Sequence, residues 1–170
     1  MKTPRAQHVL LAGFSGAGKT TVLRELARLL PQKPCLDLDQ LLIADHGSVA
    51  LMVEKQGWSG FRALELAQLK AVLARTETTI LALGGGALEQ GWGAIDQATV
   101  KVVHLECPFE TCWQRIAGGS ERPLVELGEA ALHKLFEERK PLYQRCQLRV
   151  DATQSPGEVA LAILRLTELA

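Results

Sequence analysis

The hydrophobic positions along the chain alternate between short apolar runs and longer stretches with helical spacing. The short runs predict buried β-strands at residues 8–12, 35–39, 78–83, 100–105 and 148–150. The stretches between them predict helices at residues 21–30, 41–44, 49–53, 59–75, 88–97, 108–117, 129–144 and 155–169. Strands that alternate with helices are typical of a parallel sheet covered on both faces. We therefore expect a three-layer α/β fold in a single domain spanning residues 1–170.

A glycine-rich segment joins the first predicted strand to the first predicted helix. Its sequence is Gly13-Phe14-Ser15-Gly16-Ala17-Gly18-Lys19-Thr20, which fits the phosphate-binding pattern GxxxxGK[ST]. Glycines let backbone N–H groups surround a phosphate, and the following helix directs its positive end at the same anion. Lys19 would then reach the β- and γ-phosphates, and the Thr20 hydroxyl would bind Mg²⁺. The alternative is a plain glycine-rich turn, but the flanking strand and helix favour a P-loop NTPase or kinase fold that binds a nucleotide.

The overall charge argues for small-molecule partners. Nineteen basic residues balance nineteen acidic ones, so no net field attracts nucleic acid or an anionic membrane. No apolar run reaches the roughly 18 residues of a membrane span, and the polar N-terminus has no secretory apolar region. We expect a cytoplasmic monomer. The four cysteines are Cys35, Cys107, Cys112 and Cys146. Because they lack the spacing of a metal site, we expect them to be reduced thiols.

Two acids, Asp37 and Asp39, end the second predicted strand. Alternate residues of a strand point the same way, so both carboxylates would face the phosphate region at the sheet's carboxyl edge. One would orient Mg²⁺ through water, and the other would accept the proton of an attacking hydroxyl. Asp37 is the better candidate for the metal, because the later strand ends in glycines rather than an acid. The structural alternative makes Asp37 a turn residue and Asp39 a helix N-cap.

Other polar features allow two interpretations each. Gly84-Gly85-Gly86 is either a plain loop or a set of backbone N–H groups for a substrate carboxylate or hydroxyl. Arg62 and Arg139 either pair with acids on their own helices or turn inward as a fork for a carboxylate. The polar segment 118–128, which carries Arg122, is expected to be a mobile surface segment.

Six short motifs together resemble those of shikimate kinases. In the family's order and spacing they are Gly13-x-x-Gly16-x-Gly18-Lys19-Thr20, Asp37-Leu38-Asp39, Phe61-Arg62-x-x-Glu65, Gly84-Gly85-Gly86, Arg122-Pro123-Leu124 and Glu138-Arg139-x-Pro141-Leu142-Tyr143. Only the first is specific by itself, but six in register over nearly the whole chain are highly specific. The resemblance implies MgATP-dependent phosphorylation of the 3-hydroxyl of shikimate, a step of aromatic amino acid biosynthesis.

The resemblance also implies residue roles. Asp39 would hold the acceptor hydroxyls, and Arg62, Arg139 and the glycine triplet would hold its carboxylate. Lys19, Asp39 and Arg122 would be catalytic, with Arg122 on a lid of about residues 118–128. Thr20 and, through water, Asp37 would bind the metal. The nucleotide-binding residues would be Gly13, Ser15, Gly16, Ala17, Gly18, Lys19, Thr20, Thr21, Arg115, Arg122 and Pro156.

The chain departs from the family pattern beside the acceptor pocket. Leu41-Leu42-Ile43-Ala44 stands where charged residues are usual, and Gly57-Trp58 stands where Gly-Glu is usual. These changes concern acceptor specificity more than the class of reaction. The alternatives are a gluconate-like or nucleoside monophosphate kinase, and a nucleotide-binding regulatory module without turnover. Retention of both aspartates and Arg122 argues against the module, which needs no acceptor acids.

Overall fold

A five-stranded parallel sheet forms the centre of the protein. The structure, a computed structural model, describes residues 7–119 and 124–169. The strands are β1 (His8–Ala12), β2 (Cys35–Asp37), β3 (Ile80–Ala82), β4 (Val100–Glu106) and β5 (Leu148–Asp151). Their order across the sheet is β2-β3-β1-β4-β5. Both ends of each strand lie within two residues of the predicted ends. The predicted parallel α/β sheet is therefore confirmed.

The central strand β1 carries the phosphate-binding segment at its carboxyl end. It pairs with β3 on one side, where Leu11 faces Ala82, and with β4 on the other, where Ala12 faces His104. All five residues of β1 are buried. A strand between two others in a parallel sheet is covered on both faces, which explains why this segment is apolar throughout. The segment that follows it therefore starts from a rigid point in the core.

Helices cover both faces of the sheet. They are α1 (Lys19–Leu29), α2 (Leu38–His46), α3 (Val49–Leu73), α4 (Leu88–Gly91), α5 (Phe109–Ala117), α6 (Glu129–Gln144) and α7 (Pro156–Thr167), with 3₁₀ turns at Trp92–Ala94 and Val125–Leu127. From β1 the chain moves to β2 at one edge of the sheet, and from β2 onwards it moves back towards the other edge. Because such crossovers are right-handed, α1 lies on one face of the sheet and α2 to α6 lie on the other. Accordingly, α7 packs against α1, while α4 and α5 contact α6. None of the described helices is long and apolar enough to cross a membrane.

Helix α2 (Leu38–His46) is longer than the helix expected at 41–44, and two other regions also differ from the prediction. The expected pieces at 49–53 and 59–75 extend until they meet at Gly57, whose φ of 70° breaks the helical backbone inside α3. Ser48, which accepts a hydrogen bond from the Leu51 N–H, caps its start. The helix expected at 88–97 is only four residues long and continues as a 3₁₀ turn. Gly91 and Gly93 weaken a regular helix there, and Gly91 also lets α4 approach Leu69 of α3 closely.

Candidate active site

A cleft of about 1140 Å³ opens at the carboxyl edge of the sheet. Its walls follow β1, β2 and β3 and include most of the predicted site residues: Ser15, Gly16, Gly18, Lys19, Thr20, Thr21, Asp37, Asp39, Arg62, Gly84, Gly85, Gly86, Arg115 and Arg139. Gly13 and Ala17 are buried beneath the loop surface. Arg122 and part of the predicted lid lie outside the described residues, so their roles stay predictions.

The phosphate loop is held in a shape that needs glycine. Gly16 has φ 85° and Gly18 has φ 93°, values that side chains rarely permit. A Cβ on Gly16 would also lie 2.5 Å from the carbonyl oxygen of Cys112. Lys19, only 9% exposed, donates from Nζ to the carbonyl oxygens of Gly13 and Phe14, at 2.6 and 3.0 Å. The lysine thus spans the loop at the amino end of α1.

Arg115 connects the phosphate loop to the carboxyl end of β5. Its Nη1 donates to the Gly16 carbonyl oxygen at 3.1 Å, and its Nη2 donates to that of Ala152 at 3.3 Å. The turn after Ala152 leads to Pro156, the first residue of α7, which Ser155 caps. Arg115 therefore lies in the cleft wall beside the loop, as its predicted nucleotide role requires, and Pro156 lies further along the same turn.

The two predicted acids occupy different positions. Thr20 Oγ1 donates to Asp37 Oδ2 at 2.7 Å, while Asp37 Oδ1 accepts from the Gln40 N–H at 3.2 Å. Asp37 is therefore the N-cap of α2, and the alternative that gave this role to Asp39 is wrong. The prediction that both carboxylates extend from one strand face is also wrong, because the helix already begins at Leu38. Both acids nevertheless line the cleft.

Asp39 shares its part of the cleft with a second carboxylate. A Cβ placed on Gly84 would lie 2.9 Å from Asp39 Oδ1 and 2.6 Å from Glu65 Oε1, so only glycine leaves room for both acids. Glu65 is 3% exposed, and this burial raises the pKa of its carboxyl group, while the nearby Arg62 opposes the shift. Arg62 Nη1 donates to Glu65 Oε2 at 2.5 Å. The sequence indicated Glu65 only as a partner of Arg62.

The two predicted arginines converge from different helices. Arg62 pairs with Glu65 on α3, but Arg139 reaches across to Glu89 of α4 rather than to an acid on α6. Arg139 is 5% exposed, and its Nη1 is buried without a hydrogen-bond partner. Both guanidiniums line the cleft, so the interpretation as an inward-facing fork fits them better than that of two surface ion pairs.

Gly85 lies between the phosphate loop and the arginines. A Cβ on Gly85 would be 3.1 Å from Ser15 Oγ and 3.3 Å from Arg139 Nη1. The hydroxyl of Tyr143 donates to the Gly85 carbonyl oxygen at 2.8 Å, and its ring stacks on His104 with centroids 4.8 Å apart. Tyr143 thus fixes the glycine triplet from behind, a role that the sequence did not indicate.

Two of the residues that depart from the family pattern, Ile43 and Trp58, line the cleft. Trp58 is 53% exposed, and the Arg62 guanidinium carbon lies 5.9 Å from the centre of its ring. Ile43 also lines the cleft, together with Leu124 and Leu127. These apolar and aromatic side chains therefore form part of the cleft wall.

Comparisons with known proteins agree with this geometry. The shikimate kinase family model matches residues 15–168. The shikimate kinase of Burkholderia thailandensis is 35% identical over 95% of this chain and 89% of its own length, and shikimate kinase 2 of an Enterobacter species is 37% identical over 96% and 97%. The structure of Acinetobacter baumannii shikimate kinase in complex with shikimate superposes with a TM-score of 0.85 at 34% identity, covering 95% of this chain and 92% of that one. The chain therefore belongs to the shikimate kinase family, phosphotransferases that act on a hydroxyl group.

Proposed function

We propose that this chain transfers the γ-phosphoryl group of ATP to the 3-hydroxyl of shikimate. One observation carries the proposal, namely the position of Gly85 between Ser15 of the phosphate loop and the Arg139 guanidinium. A phosphate donor and a carboxylate-bearing acceptor would meet there within a single cleft. Membership of a kinase family itself implies ATP as a substrate.

At the donor end, the phosphates would lie in the loop formed by Ser15, Gly16, Gly18 and neighbouring residues. Its backbone N–H groups and the amino end of α1 supply fixed positive dipoles. Lys19 would exchange its hydrogen bonds to loop carbonyls for bonds to the β- and γ-phosphates, where it stabilises charge on the transferring group. Arg115 would lie against the nucleoside, beside the turn that leads to Pro156.

A magnesium ion fits the oxygen pair of Thr20 and Asp37. Mg²⁺ prefers hard oxygen ligands and keeps several waters, and these two oxygens already lie 2.7 Å apart at the start of α1. Within ranges 7–119 and 124–169, no group of three or more His, Cys, Asp or Glu residues could hold a metal. Thr20 would bind directly and Asp37 through water. The ion would neutralise charge on the phosphate oxygens.

At the acceptor end, Asp39 is proposed to accept the proton of the attacking hydroxyl. Its carboxylate lines the same cleft as Lys19, and the neighbouring Glu65 is stabilised by Arg62. The Nη groups of Arg62 and Arg139, with the N–H groups of Gly84, Gly85 and Gly86, would hold the acceptor carboxylate. Holding both substrates in this way supplies orientation, the main requirement of phosphoryl transfer.

We further propose that the chain acts as a single domain and as a monomer. We also propose that it acts in the cytoplasm, where ATP is available. Light scattering coupled to size-exclusion chromatography tests the monomer, with an expected mass of 18.5 kDa. A mass near twice that value would contradict it.

The decisive experiment measures ADP release by a coupled assay. The acceptor panel comprises shikimate, quinate, gluconate and nucleoside monophosphates, each with ATP and Mg²⁺. We expect turnover with shikimate that far exceeds turnover with the others. A preference for gluconate or a nucleoside monophosphate would assign a different kinase activity, and ATP binding without turnover on any acceptor would indicate a regulatory module.

A further inference from the structure

Glu89 lies between the two arginines of the acceptor end. Its Oε1 accepts a 3.0 Å hydrogen bond from Arg139 Nε, and its Oε2 lies 3.7 Å from Arg62 Nε. One carboxylate therefore contacts two guanidiniums that come from α3 and α6, while Glu89 itself is on α4. Among the described residues, no other acid forms an ion pair with Arg139.

The contacts of Glu89 use a particular edge of each arginine. They involve the Nε atoms, and Glu65 takes Nη1 of Arg62. The Nη2 atoms of both arginines instead lie against Gly86, where a Cβ would stand 2.6 Å from Arg139 Nη2 and closer still to Arg62 Nη2. Arg139 Nη1 is buried without a hydrogen-bond partner beside Gly85. The unused donors of both residues thus converge on the glycine triplet.

Electrostatics explains why a carboxylate is needed at this point. The side chains of Arg62 and Arg139 are only 16% and 7% exposed, so little water screens the repulsion between their charges. Without Glu89, Arg139 would lose its ion pair, and the nearest remaining anion among the described residues would be Glu65, which already pairs with Arg62. Glu89 is 39% exposed at the rim of the cleft, which leaves the inner side of the pair open.

We propose that Glu89 is a positioning residue that holds Arg62 and Arg139 by their Nε edges, so that their Nη groups receive the acceptor carboxylate over Gly86. This inference rests on the proposed function, because it takes the acceptor to be a carboxylate. The opposite role is a competitor, in which Glu89 occupies the carboxylate position and must leave before the acceptor binds. Glu89 contacts the Nε atoms of the two arginines, whereas a competitor for the carboxylate position would contact their Nη groups. This geometry favours the positioning role.

The test compares Glu89→Ala and Glu89→Gln with wild type, using shikimate and its methyl ester as matched probes with and without the negative charge. Binding is measured by calorimetry in the presence of ADP, and KM and kcat by the coupled assay. Loss of charge-assisted hydrogen bonds predicts that Glu89→Ala weakens shikimate binding about tenfold or more. Binding of the methyl ester, the KM for ATP and kcat at saturating shikimate should each change less than about twofold. Glu89→Gln keeps one acceptor oxygen, so its affinity for shikimate should lie between those of wild type and Glu89→Ala. Gln90→Ala, an exposed neighbour on α4, is the control and should match wild type.

Each contrary result has a distinct meaning. Tighter shikimate binding by Glu89→Ala would overturn the proposal in favour of competition, and equal losses for shikimate and its ester would make Glu89 a purely structural residue. Failure of the proposed function appears separately, as wild-type protein that neither binds nor phosphorylates shikimate. In that case the binding test uses the acceptor that the panel identifies, together with its methyl ester. If that acceptor carries no carboxylate, the Glu89 proposal fails as well.

Discussion

The hydroxyl of Thr20 donates a hydrogen bond to Asp37 across the cleft floor, joining the first residues of α1 to the end of β2. If these oxygens organise Mg²⁺, Asp37→Asn should raise the Mg²⁺ concentration needed for half-maximal activity several-fold, because the amide loses the charge that orients bound water. Acceptor affinity should change less. The cap of α2 should survive, since Asn caps about as well as Asp, and a thermal melt checks this. An unchanged Mg²⁺ titration would restrict Asp37 to its capping role.

Asp39→Asn should fail in a different way. The substitution keeps size but removes the proton acceptor, and general-base assistance is typically worth about 10²–10⁴ in rate. We expect kcat to fall by about that factor, with little change in the Mg²⁺ requirement or in the melting temperature. Steady-state kinetics alongside Asp37→Asn provide the comparison. Wild-type kcat in the Asp39 variant would contradict the assignment.

Replacing either acceptor arginine by lysine keeps the charge but removes the planar set of donors. Arg62→Lys and Arg139→Lys should each weaken shikimate binding about tenfold without a comparable loss of ATP affinity. Glu89 accepts a 3.0 Å hydrogen bond from Arg139 Nε but lies 3.7 Å from Arg62 Nε. Because lysine has no Nε–H, Arg139→Lys should be the more severe. Calorimetry with each substrate separates the effects, and equal losses for both substrates would indicate a folding defect.

Tyr143→Phe removes only the hydroxyl that bonds to the Gly85 carbonyl oxygen. Gly85 is half-buried, so its carbonyl keeps some access to water, and we expect the free energy of unfolding to fall by about 1 kcal/mol. The glycine triplet should also lose its fixed position, which raises the KM for shikimate more than the KM for ATP. Denaturant unfolding and kinetics test both effects. Full stability in the variant would mean that water replaces the hydroxyl.

Acid should destabilise the protein partly through His104. Burial lowers the pKa of His104 from 6.5 to about 4, so the ring stays neutral in the folded state where the unfolded chain would bind a proton. Its contribution is complete above pH 6.5 and is lost as pH falls from 6.5 towards 4. Linkage alone gives a loss of about 2 kcal/mol more in wild type than in His104→Gln between pH 7.5 and 5. Because the His104 side chain is only partly buried, solvent screening lowers the expected difference to about 1 kcal/mol. Denaturant unfolding at several pH values measures the difference, and parallel pH profiles would contradict it.

Much of the fold and half of the site follow from the sequence. Buried strands of a parallel sheet are continuous apolar runs, and the phosphate loop has a fixed spacing of glycines and lysine, so both are local signals. The start of α2 could not be placed correctly, because it depends on the Asp37 side chain turning back to the Gln40 N–H. The sequence offered only Asp39 as a cap, two residues too late.

The parts of the site that were missed depend on distant partners. Glu89 lies 50 residues from Arg139 along the chain, and Tyr143 lies 58 residues from Gly85. No periodicity or local spacing links such pairs, since they meet only when the sheet brings α4 and α6 together. Glu65 had a local signal, its three-residue separation from Arg62, but only the fold shows that it also faces Asp39 through Gly84.

The packing of α7 on α1 also has a consequence for biosynthesis. Helix α1 begins with Lys19 and Thr20, and its apolar side includes Val22 and Leu26, while α7 follows the fifth strand, β5. A nascent chain exposes its segments to folding in order of synthesis, starting from the N-terminus. The helix that presents the phosphate loop therefore lacks its covering partner until all five strands and then α7 have been synthesised. Nucleotide binding should accordingly follow the synthesis of α7.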